Sequence, residues 1–192
     1  HEVGMSLEGG DMDNSQQELK LQSDIKYFNT SIMKLVLLFV CTFGIYGLYW
    51  HYKNWKAIKD HTGEKISPFW RAFFWIFTCS DLFKIIGLSA LGKGINIAYS
   101  ARDLATFYIL MMLFGVVGSK YDNQIANLLW VVGFFAVIPL VIVQKAVNSY
   151  NAAIDDSYMI NDGFSWKSIT VIVLGAILLI LSIAGRFLPN PK

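Results

Sequence analysis

Few side chains in this sequence are of a type, and at a spacing, to do chemistry, and most of those lie inside apolar stretches. Arg71, Asp81 and Lys84 interrupt an aromatic-rich run, and Gln144 closes the cleanest uncharged one. Asp81 and Lys84 are three apart, so on a helix they share a face and can pair. Charges inside an apolar span are costly and face protein, water or each other. These four are the candidate intramembrane polar residues of an ion or proton path; the plainer expectation is a neutralising pair near a helix end.

Other reactive types are isolated. His51 and His61 have no Cys or carboxylate at metal-ligand spacing and are expected at an interface and in a solvated loop. Cys41 and Cys79 both sit in apolar segments, as packing thiols do. No serine stands in a nucleophile elbow and no glycine loop ends in Lys-Ser or Lys-Thr. The sequence therefore offers no catalytic residue, no metal site and no cofactor site.

The elements that would position these residues are apolar helices. The chain is 55% hydrophobic and only 16% charged, whereas a soluble domain needs about a quarter charged residues to cover its surface. The expected class is all-α: a polytopic membrane helical bundle of four to five apolar helices, near 32–59, 68–91, 96–118, 124–155 and 166–187. Residues 1–26 read as an acidic disordered tail and 188–192 as a short C-terminal tail.

The first apolar segment carries the densest pattern. Sixteen uncharged residues, Leu35 to Trp50, run into Tyr52, Trp55 and the lysines 53, 56 and 59. Aromatic rings favour the headgroup level and lysines meet anionic lipid there. Gly44 and Gly47, three apart, make a small face for helix packing. The spacing predicts a through-going helix, with a break at the glycines and a half-helix turning back as the alternative. Further on, Gln144, Asn148, Asn151 and Asp155 form an amide stripe beside the apolar stripe Val143, Val147, Tyr150 and Ile154. The apolar stripe should dock on the protein. The amide stripe is either solvated or a binding surface.

Positive charge marks the cytoplasmic side. Five crossings split the sixteen Lys and Arg eight against eight. Keeping segment two on the cytoplasmic side gives ten against six, and turning segment one back gives eleven against five. Both keep the loop at 53–67 cytoplasmic, and neither fixes the number of crossings.

TFGIYGLYWHYKNWK at 42–56, ISPFWRAFF at 66–74, VQKAVNSYN at 143–151 and FSW at 164–166 resemble an uncharacterised family of small bacterial inner-membrane proteins. The resemblance implies a bacterial inner membrane and no known reaction. It puts its signature on Thr42, Gly44, Tyr46, Tyr49, Trp50, Tyr52, Lys53, Asn54, Trp55, Arg71, Asn148 and Asn151.

Together these readings favour a non-enzymatic interaction or accessory protein. Its partner/lipid interface would be Tyr49, Trp50, Tyr52, Lys53, Asn54, Trp55, Lys56, Asn148 and Asn151. Its partners would be anionic membrane lipids and a membrane protein or a second copy of itself. A net charge of +2 gives no reason to expect nucleic acid. The alternative is a small homo-oligomeric transporter or channel built on Arg71, Asp81, Lys84 and Gln144.

Overall fold

The computed structural model describes residues 25–187, and the chain is all-α there apart from its connections. An extended segment, residues 25–31, leads into α1 (Ile32–Cys41) and α2 (Ile45–Thr62). A short α3 (Pro68–Phe73) and α4 (Trp75–Gly92) follow, then α5 (Ala101–Lys120). α6 (Gln124–Gly133) passes through a 3-10 turn (Phe134–Ala136) into α7 (Val137–Ile154), and α8 (Trp166–Phe187) ends the described chain. The expected tail at 1–26 lies outside the described residues as far as 24. Ile25 is already buried and Lys26 already paired.

Four helical units are long and apolar enough to cross a membrane: α4, α5, α6 to α7, and α8. α7 is central and touches α1, α4 and α5, while α5 and α6 form the most extensive pair. That pair is close because Gly115 and Gly133 face each other, leaving no room for a Cβ at Gly133. α8 is peripheral. Gly175, its one buried residue, rests against the Cys41 backbone of α1.

The expected through-going helix over 32–59 is instead two helices that double back. Phe43 (φ 52°) and Gly44 (φ 87°) both adopt left-handed backbone. Phe43 N–H bonds the Val40 carbonyl at 3.1 Å and Gly44 N–H the Phe39 carbonyl at 2.8 Å, the paired bonds of a Schellman stop. Thr42 then serves both helices: its Oγ1 donates to the Leu38 carbonyl at 2.7 Å and accepts from Tyr46 N–H at 2.9 Å. Broken backbone at membrane depth persists only when its polar groups are satisfied in this way. The turn brings the chain home, since Phe28 before α1 meets Asn54 near the middle of α2.

Pro139 sits inside the α6 to α7 unit, where a kink is expected. The irregularity falls just before it, at the 3-10 turn. The apolar stripe of α7 is placed as its spacing predicts: Val143, Val147 and Tyr150 are fully buried.

Candidate functional site

Two polar centres stand at opposite ends of the bundle. The first is built by α7 and the extended segment, which lies over the helix as a strap. Asn151 matches both backbone groups of Tyr27, accepting from its N–H at 3.2 Å and donating to its carbonyl at 3.0 Å. Gln144 donates to the Phe28 carbonyl at 3.1 Å and to Asn148 Oδ1 at 2.8 Å, and accepts from the Trp50 indole at 2.6 Å. Asn148 donates to the Thr30 carbonyl at 3.2 Å, and Asn54 of α2 accepts from Phe28 N–H at 3.1 Å. An extended strand without a sheet offers both donors and acceptors, and a carboxamide supplies the complement of each without charge. The strap then meets the 155–163 loop. Lys26 pairs with Asp155 at 2.8 Å, and Asn161 N–H bonds Asn29 Oδ1 at 2.8 Å.

The expected partner surface is thus largely used internally. Asn148, Asn151, Trp50, Asn54 and Trp55 are all buried, because their polar atoms serve the strap or their rings fill the core. Tyr49 and Lys56 are exposed and Tyr52 and Lys53 half-buried. Lys53 Nζ sits 5.6 Å from the Phe28 ring centroid, and Lys56 pairs with Asp60 at 2.6 Å. Gly47 takes the close approach its type permits: a Cβ there would lie 2.6 Å from the Tyr108 hydroxyl.

His51 is fully buried one turn before Asn54, enclosed by protein rather than exposed at an interface as expected. Its Nδ1 donates to the Gly47 carbonyl at 2.8 Å, its ring stacks on Tyr108 at 5.6 Å, and Nε2 has no partner. Among the described residues no three His, Cys, Asp or Glu come together as a metal site would require.

The polar residues expected at membrane depth separate. Arg71 lies over the Trp55 ring, 4.2 Å from its centroid. Asp81 and Lys84 are both exposed, and the ion pairs formed among the described residues do not include them. Gln144 alone is deep in the protein, and it belongs to the strap network.

The second centre lies beneath the α1–α2 turn. A cavity of about 410 Å³ is lined there by Phe39, Phe43 and Gly44 at the turn, Met112, Gly115 and Ser119 of α5, Trp130 and Phe134, and Ser182 and Arg186 of α8. Phe43 packs against Trp130 and Phe134, at 6.4 and 6.3 Å between centroids. Left-handed backbone costs a residue with a Cβ roughly 1–2 kcal/mol, and such strain gathers at binding sites. Arg186 closes the far end. It donates to the carbonyls of Gly118 (3.2 Å), Ser119 (3.2 Å) and Tyr121 (3.5 Å), and to Asn127 Oδ1 at 2.8 Å. These carbonyls are the free acceptors at the C-terminus of α5, whose dipole offsets only about half a unit of positive charge. Among the described residues no carboxylate neutralises the guanidinium. The sequence had shown Arg186 only as the end of an apolar run. Asn127, the lone polar residue early in its own run, was the available signal. No family model matches the chain, and neither a curated protein nor a solved structure matches it.

Proposed function

We propose that this is a small membrane transporter or channel that takes a compact anion with an apolar body into the cavity beneath the α1–α2 turn. The observation that carries this reading is the strained Phe43 at the tip of a broken hairpin, facing a cavity whose one charged lining residue among the described residues is a cation that no described carboxylate neutralises. Helices that break at membrane depth are how transporters place backbone and side chains around a substrate. The aromatic lining supports an apolar or aromatic body, and Arg186 supports the negative charge. Burial of Trp50, Asn54, Trp55, Asn148 and Asn151 removes much of the surface that an accessory subunit would need, so transport is the stronger reading. The resemblance at 42–56 and 66–74 supports the bacterial inner membrane as its place.

The test is uptake of radiolabelled benzenesulfonate, a permanently ionised probe, into proteoliposomes. Influx above protein-free vesicles is expected, falling about tenfold in Ser182→Phe, which fills the cavity from a half-buried position. Absence of influx from a folded, reconstituted protein would reject the reading. A stoichiometric protein partner without flux would restore the accessory role.

A further inference from the structure

The helix α4 is long enough to cross a membrane, yet neither of its ends reaches the far end of the bundle. At its finish, Ser89 Oγ lies 2.8 Å from the Tyr27 hydroxyl of the strap. Just before its start, α3 packs along α2 with Arg71 over Trp55, and the Trp75 ring is 6.4 Å from that of His51. Asn54, between those two α2 residues, bonds the strap. A helix of eighteen residues is about 27 Å long. Standing along the bundle with Ser89 at the strap, it would begin beside the α5–α6 turn, at the far end. It begins instead beside His51 and beside Tyr108, the eighth residue of α5, whose ring is 4.8 Å from that of Trp75, well short of that turn, so it runs obliquely across the bundle.

The outward face of α4 fits that placement. Asp81 and Lys84 are exposed in the middle of the helix, between the exposed apolar residues Phe77 and Leu88. On a crossing helix this face would hold against hydrocarbon two charges that no described residue pairs, which is costly. At an interface the same mixture is ordinary. α3 adds exposed Phe69, Trp70 and Phe73 beside it, the aromatic rings that favour the headgroup level. Charge names the surface. Of the fourteen Lys and Arg among the described residues, only Lys120 and Arg186 belong to the far end; the other twelve belong to the strap half.

We propose that α3 and α4 lie in the headgroup layer of the cytoplasmic leaflet, held by anionic lipid. The chain then crosses three times, by α5, the α6 to α7 unit and α8, and Phe187 emerges on the side opposite the strap. Segment one turning back and segment two staying on its own side both hold, which the sequence had offered only as separate solutions.

Single cysteines in a Cys41→Ala, Cys79→Ala background test this with a membrane-impermeant maleimide. Lys65→Cys, Asn96→Cys and Asp81→Cys should react only after permeabilisation, and Asp122→Cys in intact cells, each preference being about tenfold or more. Reaction of Lys65→Cys and Asn96→Cys from opposite sides would show α4 crossing and overturn the proposal. So would a protected Asp81→Cys in permeabilised membranes where Lys65→Cys reacts, or Lys65→Cys and Asn96→Cys both reacting in intact cells. For the lipid, the thermal midpoint of the full chain should be higher in nanodiscs of phosphatidylcholine with phosphatidylglycerol than in phosphatidylcholine alone, and the gap should close in high salt. Equal midpoints would reject the anionic contact.

Discussion

The two ends of the bundle solve one problem, unpaired backbone away from water, with different side chains. At the strap end the needy backbone is extended and presents N–H and C=O groups alike, and Asn54, Gln144, Asn148 and Asn151 answer both. At the far end it is a helix C-terminus, which presents acceptors only, and Arg186 answers with donors only. The lesson is that the chemistry of the orphaned backbone selects the residue. The consequence is electrical: the amides that hold the strap bring no charge with them, whereas the arginine that holds the far turn keeps one beside a cavity.

If that account is right, the ends should respond differently to substitution. The largest effect is expected from Gln144→Leu, which leaves the Trp50 indole and the Phe28 carbonyl without partners. Each orphaned buried group costs about 1–3 kcal/mol. Thermal unfolding in detergent should show a midpoint drop of many degrees, and an unchanged midpoint would mean the strap is held by its apolar anchors alone. Arg186→Lys should be milder, about 1–2 kcal/mol, because the ammonium keeps the charge but cannot fork across three carbonyls. Its effect should appear as faster hydrogen exchange at the α5–α6 turn. An equal loss at the strap would erase the distinction between the ends.

The smallest effect is expected from acid. Lys26 and the Ser157 hydroxyl and N–H hold the Asp155 carboxyl down to about 2 from its ordinary 3.8. A lowered value in the folded state means that the contact contributes fully above the ordinary value and is lost as pH falls toward about 2. Proteolysis at the strap should therefore rise only below about pH 4. Asp155→Asn should remove that dependence while leaving the far end unmoved.

The helices were legible because bilayer-length apolar runs carry their own signal, and Val143, Val147 and Tyr150 declared a buried face by spacing alone. The hairpin was legible only as an alternative: Gly44 marks a stop, but nothing local says that Phe43, an unlikely residue for it, takes the left-handed position at C′. The amide stripe was visible as a stripe, and its occupant was not. Complementarity between Asn151 and Tyr27 joins residues 124 apart, and no periodicity encodes a match over that distance. Arg186 was hidden for the same reason, its partners lying 59 to 68 residues upstream.

That separation also orders events in time. The strap leaves the ribosome long before α7, whose amides complete it 116 to 124 residues later. At about 5–20 residues per second, synthesis of that interval takes roughly 6–25 s. For those seconds the first hairpin is a half-finished object, its tip already closed by Thr42 and its entrance still needing water. Final seating of the first hairpin is therefore a late step, although the hairpin is made well before the helix that holds it.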